Sequence, residues 1–266
     1  YQDWTLGYSS QLVGSVIQSG ATPVLTWEPW DSSNGSANQP GYKLTNITGG
    51  NFDSYVHQFA RDAAASKQHL YLRFAQEMNG YWTPWGTAPG GTTTPANPLG
   101  NTPQDYVSAW RHVHDIFVQE GATNVVWVWS PLVSYPGGAS LAQDYPGDGY
   151  VDWLALDGYN WGTTQSWGSS WQSFAQLFGD SYASISSFSS KPIMIGETAS
   201  AEQGGDKAQW ITQAFLTDMP QQFPKIRAVV WFDSQKETAW QVDSSPASLS
   251  AWQKVVASPG DQGTLP

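Results

Sequence analysis

At 266 residues the chain is long enough for one large domain with a substantial core, the size at which α/β barrels occur as single units. Only 12% of its residues are charged and the net charge is −11, so it lacks the basic patch that nucleic acid or an anionic membrane surface requires, and neither is expected as a partner. Cysteine is absent, which excludes a disulfide framework, a thiol nucleophile and cysteine-based metal sites.

Tyr1-Gln2-Asp3-Trp4 reads as the end of a strand, and Ser9 to Ser19 as a helix closed by Gly20. Thr22 to Trp27 reads as a buried strand that runs into a loop at Glu28-Pro29-Trp30. Residues 31–50, rich in Asn, Gly, Ser and Pro, read as an exposed excursion. Phe52 to Lys67 spaces Tyr55, Phe59 and Ala63 by four, which predicts an amphipathic helix. Leu70-Tyr71-Leu72-Arg73-Phe74 opens as a strand and delivers Gln76, Glu77 and Asn79 to its C-terminal end, followed by Trp82 and Trp85. The Gly/Thr/Pro stretch 86–100 reads as a loop too polar to be buried.

Thr102 as N-cap, Pro103 at the first helical position and Asp105 in the first turn predict a helix to about Glu120, ended by Gly121. Val125 to Trp129 and Val151 to Leu156 read as strands, the second ending in Asp157-Gly158-Tyr159-Asn160-Trp161. Helices from about Trp171 to Phe178 and Tyr182 to Phe188 precede a strand from Pro192 to Glu197. A helix from Ala208 to Thr217, a strand from Ile226 to Phe232 and a helix capped by Ser245-Pro246, reaching about Ala257, complete the order.

Strands apolar on both faces, alternating with helices of ten or more residues, indicate an α/β fold with a helix-covered parallel sheet. Polar and aromatic residues gather just past the strand ends: Glu28 and Trp30, Glu77, Trp129, Asp157 and Tyr159, Glu197, and Trp231 to Asp233. That pattern predicts a (β/α)8 TIM barrel with its active site at the C-terminal face. A doubly wound open sheet is the alternative, but it carries ligands at one crevice and no phosphate-binding glycine loop is present. In an eight-stranded barrel the five strands from Leu70 onward can be numbered four to eight, and upstream of them stand only Pro23 to Trp27 and the fragment at Trp4; either the first strand was removed before residue 1 or the barrel is completed irregularly, and a barrel lacking its first strand in this chain is expected. No repeat or linker divides residues 1–266, which read as a single catalytic barrel domain.

Sixteen tryptophans, with 12 tyrosines and 10 phenylalanines, are unusual in a fold whose core prefers Val, Ile and Leu. Flat rings stack on the C–H faces of sugars and the indole N–H adds a polar handle; core filling accounts for about half of the tryptophans. No signal peptide and no apolar run of transmembrane length occurs, and low charge with many Ser, Thr and Gly suggests a soluble, processed, secreted protein, expected as a monomer. Sequons stand at Asn34 and Asn46. His57, His69, His112 and His114 include no pair spaced by four, so solvated or capping roles are expected and no metal or cofactor. Neither a Gly-Xaa-Ser-Xaa-Gly elbow nor a phosphate loop exists, which removes esterase and nucleotide chemistry.

Two carboxylates remain. Glu77 and Glu197 each follow a strand that fixes its backbone, and a barrel can bring two such groups together across its mouth. Paired carboxylates among aromatic rings are what glycosidic bond cleavage needs: one, with a raised pKa, protonates the leaving oxygen while the other stays ionised at the anomeric carbon.

The stretches Arg73-Phe74-Ala75-Gln76-Glu77-Met78-Asn79-Gly80-Tyr81-Trp82 and Ile195-Gly196-Glu197-Thr198-Ala199-Ser200 resemble glycoside hydrolase family 26. So do Tyr145-Pro146-Gly147-Asp148 and Asp157-Gly158-Tyr159-Asn160-Trp161, and the resemblance extends from about Pro23 to Trp252. It implies a (β/α)8 barrel and retaining hydrolysis of β-linked polysaccharide backbones. It also implies Glu77, at the end of strand four, as general acid/base and Glu197, at the end of strand seven, as nucleophile.

Beside that resemblance, the residues themselves suggest further roles. Tyr159 is placed to donate its hydroxyl to Glu197. Arg73 lies an even number of residues from Glu77, so both side chains are expected to point inward, Arg73 binding substrate or balancing charge beneath the site. Gln76 and Asn79 are candidates to hydrogen-bond sugar hydroxyls, and Trp82, Trp85, Trp161 and Trp231 to stack on sugar rings. Asp157 and Asp148 are candidates for holding loops.

Gln76 departs from the family pattern. Mannan-cleaving members resemble a His-Glu pair here, whereas a carboxamide before the acid/base resembles the Asn-Glu pair of glucan-cleaving relatives, where it meets an equatorial O2. The leading substrate is therefore mixed-linkage β-1,3-1,4-glucan (lichenan), with endo-β-1,4-mannanase activity by the same two-glutamate mechanism as the alternative. A non-catalytic carbohydrate-binding protein would keep the tryptophans without requiring both glutamates, and a glycosyl-transferring enzyme could use the same scaffold.

Overall fold

Runs of branched and aromatic residues form seven strands in the computed structural model, which describes residues 1–258. They are β1 (Gln2–Asp3), β2 (Val24–Glu28), β3 (Leu70–Phe74), β4 (Val125–Trp129), β5 (Trp153–Asn160), β6 (Ile193–Ser200) and β7 (Ile226–Trp231). The strands follow one another in sheet order as in sequence, and the registered pairs are parallel: Thr26 lies opposite Arg73, Leu70 opposite Val125 and Val128 opposite Trp153. The seven parallel strands alternating with helices make an α/β fold, a (β/α)8 arrangement less one strand, as the count along the chain predicted. Every residue of β3 is buried, the burial expected of a parallel strand covered on both faces.

The helices are α1 (Ser10–Gln18), α2 (Leu44–Thr48), α3 (Asp53–Ser66), α4 (Pro103–Gln119), α5 (Phe174–Phe188), α6 (Lys207–Gln213), α7 (Met219–Gln222) and α8 (Pro246–Val256). α4 begins where its sequence dictates. Thr102 accepts from the Asp105 backbone while the Asp105 carboxylate accepts from the Thr102 N–H, with Pro103 supplying the first helical φ. The chain divides into two compact units, Tyr1–Leu154 and Ala155–Pro266, with the boundary inside β5.

In the first unit the layer between strands and helices is aromatic. Trp27 of β2 stacks on Phe59 of α3 at 4.4 Å, and Trp127 of β4 meets Phe117 of α4 at 5.0 Å. Nine of the sixteen tryptophans are buried, so core filling does claim about half of them, and several do it from within strands. His57 pairs with Glu120 and His112 with Asp53, both at 2.6 Å, so these two histidines tie α3 to α4. Among the described residues no three metal-ligating side chains gather, and no helix is long and apolar enough to cross a membrane.

Several segments differ from their sequence reading. The excursion 31–50 contains α2, which buries Leu44 and Ile47, and the Leu44 N–H is held by Asn101 Oδ1. The loop 86–100 is not wholly exposed: Thr87, Ala88 and Asn97 are buried, and Asn97 Nδ2 donates to the Ala88 and Asn101 carbonyls. A buried loop is tolerable when side chains satisfy its backbone in this way.

β5 continues four residues past Leu156, and β6 three past Glu197. The two helices expected around Gly179 are one, α5. A glycine costs about 1 kcal/mol inside a helix, but Phe174, Phe178, Ser181 and Ile185 form one buried face whose packing outweighs it. After α6 the chain passes through a π turn, Ala214–Asp218, into α7, where Pro220 cannot donate the next rung.

Candidate active site

β3 ends in a strained and heavily anchored turn. Ala75 and Glu77 have φ of 47° and 53°, the left-handed region that costs a side-chain-bearing residue roughly 1–3 kcal/mol. The turn is held from both neighbouring strands. The Ala75 N–H donates to the Trp27 carbonyl at the end of β2 at 3.1 Å, and the Glu77 N–H to the Ser130 carbonyl just past β4 at 2.7 Å. Tyr106 Oη donates to the Ala75 carbonyl, Trp85 Nε1 to the Gln76 carbonyl at 2.6 Å, and the Gly80 N–H to the Glu77 carbonyl. Backbone, rather than side-chain packing, thus aims Glu77, and the strand alternation that paired it with Arg73 stops at Phe74. Glu77 is half-buried, and Trp82 Nε1 donates to its Oε2 at 2.8 Å.

Three residues expected at the sugar have other employment. Asn79 is fully buried, its Nδ2 donating to the Leu132 carbonyl and its Oδ1 accepting from the Leu132 N–H, both at 2.9 Å, so it clasps the loop after β4. Trp85 is fully buried edge-on to Trp30 and offers no face for stacking. Arg73 is buried, with its guanidinium 5.9 Å from the Tyr1 ring, a charge held inside the fold rather than open to a ligand.

Gln76 is 6% exposed, and its Nε2 donates to Glu28 Oε1 at 2.6 Å. Glu28, which ends β2, also accepts from Trp30 Nε1 at 3.3 Å. Burial raises its carboxyl above the usual range, against the opposing pull of the Gln76 and Trp30 hydrogen bonds and the Arg73 charge. Sequence reasoning placed Glu28 at a strand end but gave it no role.

The loop behind Glu77 packs on a second buried carboxyl, from the segment after β4. Gly86 approaches Gly80 so closely that a Cβ there would lie 2.4 Å from the Gly80 carbonyl oxygen, and this lets Thr87 donate to the Met78 carbonyl. Asp144 lies 3.0 Å from the same Thr87 hydroxyl, and burial pushes its carboxyl up to about 7. Protonated Asp144 can donate to Thr87 Oγ1 while Thr87 donates to Met78; the ionised form can only compete for the one hydroxyl proton.

A raised folded-state pKa favours the native state below the unfolded value and loses that contribution as pH rises through the folded one. Wild-type stability should therefore fall between pH 4 and 7, by up to about 4 kcal/mol from this group. Asp144→Asn should be the more stable protein at pH 8 and lose that advantage at pH 4, as urea midpoints at the two pH values will show.

In the second unit, Glu197 sits inside β6, 7% exposed. The β6–β7 register slips between Ile195 and Thr198, so Glu197 occupies an irregularity of the kind that re-aims a side chain. Tyr159 Oη, from β5, donates to Glu197 Oε2, the contact expected from sequence. That hydrogen bond favours the ionised carboxylate and fixes its rotamer.

The Tyr159 ring rests on Trp240 at 5.1 Å, Phe232 at 5.8 Å and Trp161 at 5.9 Å. Trp161 is half-buried, 4.9 Å from Trp240 and 6.3 Å from Trp167, which is 68% exposed. Trp231 does not stand open as a platform: its ring meets Phe215, Trp210 and Trp252, and its Nε1 donates to the Trp240 carbonyl at 2.8 Å.

Trp240, fully buried at the centre of this cluster, was missed because no strand or motif marks its loop. Buried Lys207 holds that loop: its Nζ donates to the carbonyls of Ala239, Trp240 and Gln241 and to Ser244 Oγ, and burial pulls its ammonium down to about 8. A lysine at a helix start gives no sequence signal for such a role. Tyr145 donates to Asp148, a loop contact as expected, and Asp157 is wholly buried.

The model of Glycosyl hydrolase family 26 matches residues 26–188. Endoglucanase H of Acetivibrio thermocellus is 40% identical over 257 residues, 96% of this chain but 26% of that protein's length. Mannan endo-1,4-beta-mannosidase A and B of Caldalkalibacillus mannanilyticus is 41% identical over 93 residues, 34% of this chain and 16% of that protein. This chain thus spans about a quarter of the first relative and less of the second. In fold it is similar to the catalytic domain of a Bacillus sp. JAMB-750 endo-beta-1,4-mannanase, with a TM-score of 0.67, 19% identity and coverage of 95% of this chain and 72% of that one. With more than half of its residues matched by the family model, including the Glu77 turn, this chain belongs to glycosyl hydrolase family 26.

Proposed function

We propose that the chain is a retaining endo-β-glycanase in which Glu77 protonates the leaving oxygen and Glu197 attacks the anomeric carbon. The observation that carries this reading is Glu197: a buried carboxyl at a register slip, whose Oε2 accepts from the Tyr159 hydroxyl. An oriented, ionised carboxylate is what a glycosyl nucleophile requires. Glu77, half-buried and held by an indole N–H on a hydrogen-bonded turn, suits a group that gives up a proton and then takes one from water. The glycosyl–Glu197 ester forms as the leaving alcohol departs with the Glu77 proton. Water then attacks that ester, Glu77 recovers a proton, and the β configuration is retained.

The leading substrate is mixed-linkage β-1,3-1,4-glucan. Support comes from the carboxamide of Gln76 before the acid/base and from 40% identity to an endoglucanase along nearly the whole chain. Endo-β-1,4-mannanase activity is the second reading, favoured by the 41% identity to a mannosidase over 93 residues. A polymer of this kind is met outside the cell, so the protein is proposed to act there. Purified protein should release reducing sugar from lichenan and barley β-glucan at least tenfold faster than from mannan. Faster release from mannan would replace the first substrate with the second, and release from none of them would remove the glycanase reading.

A further inference from the structure

The second unit carries two pockets on α6, neither of them lined by Glu77 or Glu197. The first, about 220 Å³, is lined by Trp171, Asp206, Gln209 and Gln213, with Phe174 and Trp210 behind them. The second, about 530 Å³, shares Asp206 and Gln209 with the first and runs on to Ser250 and Lys254 of α8. Asp206 and Gln209 thus line both, and the smaller pocket is the one that Trp171 and Gln213 share with them. Gln209 and Gln213 are four residues apart on α6 and so lie on one side of it.

The groups at this groove are open in a way that a packing contact would not leave them. The Trp171 ring is pressed so tightly onto the backbone at Gly205 that a Cβ there would lie 2.4 Å from it, which fixes the ring plane. Its Nε1 is not buried and has no hydrogen-bond partner among the described residues. The neighbouring Trp210, by contrast, donates its Nε1 to the Gln172 carbonyl at 2.8 Å. Gln209 is exposed and its carboxamide is unpaired among the described residues. Asp206 uses Oδ1 to cap α6 through the Gln209 N–H, leaving Oδ2 as an acceptor, and Gln213 uses Nε2 on Asp218, leaving Oε1.

A rigid indole beside open amide and carboxylate groups is what a neutral, polyhydroxylated ligand needs: its C–H face meets the ring and its hydroxyls find both donors and acceptors. An anion would face Asp206, and a purely apolar ligand would strand the carboxamides. We infer that the groove of Trp171, Asp206, Gln209 and Gln213 is a second carbohydrate-binding site, which holds a length of the β-linked polysaccharide apart from the segment being cleaved. The ligand class rests on the glycanase reading; the groove does not. Holding the polymer at a second point raises the effective concentration of chain near the glutamates without touching the chemistry.

The test uses the full chain carrying Trp171→Ala, and separately Gln209→Ala, whose exposed, unpaired side chain can be removed without loss of fold. Retention in gels containing lichenan or mannan measures polymer binding, in a Glu197→Gln background that prevents cleavage. Hydrolysis of a soluble tetrasaccharide by the same variants with Glu197 intact measures the active site. Each variant should weaken polymer retention at least threefold, Trp171→Ala more strongly, while tetrasaccharide kcat/KM stays within twofold of wild type. Unchanged retention for both variants overturns the second site. So does a parallel loss on tetrasaccharide and polymer. If the unmutated chain cleaves neither polysaccharide yet its retention still depends on Trp171, the groove stands and the glycanase reading falls.

Discussion

Replacing Glu197 with Gln should lower kcat on β-glucan by about 10⁴-fold or more while leaving oligosaccharide binding and the melting temperature close to wild type. Glutamine keeps the shape and can still accept the Tyr159 hydroxyl proton, so the irregular register of β6 and the ring cluster under Tyr159 should survive. What it loses is the negative oxygen that bonds to the anomeric carbon. The substitution therefore separates a hydrolase from a protein that only binds sugar: a binder would not notice it. Turnover within tenfold of wild type would overturn Glu197 as nucleophile. Heat denaturation and sugar titration on the same sample exclude misfolding as the cause of a loss.

The second large effect belongs to Glu77→Ala, and its signature is dependence on the leaving group. On a natural glucan the departing alcohol is a poor leaving group, and kcat/KM should fall by about 10²–10⁴, the usual worth of a positioned acid. On an aryl β-glycoside with an acidic phenol the first step needs no proton, so the glycosyl–Glu197 ester should still form quickly and then persist, because no base activates water. A burst of phenol followed by a slow steady state is expected, and added azide, which needs no general base, should restore turnover as a β-glycosyl azide. Equal losses on both substrates, without a burst, would show that Glu77 acts on structure or binding rather than as acid/base. Loss of the Trp82 hydrogen bond should by itself cost about 1 kcal/mol of stability.

Sequence reached far where the chemistry was local or periodic. Thr102-Pro103 with Asp105 set the start of α4, the all-apolar strands set the parallel sheet, and the reach of Tyr159 to Glu197 followed from their places on successive strands. It fell short where a side chain's role depends on what the chain does next. Asn79 looks like a ligand in sequence because it is polar and lies near Glu77, yet it is spent on the Leu132 backbone, 53 residues away in a loop without pattern. Trp85 carries the same ring as Trp161, and only its burial beside Trp30 distinguishes it from the half-buried Trp161. The even spacing of Arg73 and Glu77 failed for a physical reason: alternation is a property of extended backbone, and the chain turns left-handed at Ala75.

That left-handed turn also bears on how such an enzyme can be improved. Ala75 contributes a methyl group in a conformation that glycine or asparagine would occupy at lower cost. A screen that rewards heat resistance alone can therefore favour glycine there, where the strain relieved exceeds the worth of the buried Ala75 methyl group and the added freedom of the unfolded chain. The same substitution would give the peptide before Gln76 and Glu77 freedom to swing, which under the proposed acid/base role of Glu77 would lower turnover. At this position thermal hardiness and turnover draw on one reservoir, so a useful search should select for both at once and seek its stability far from β3.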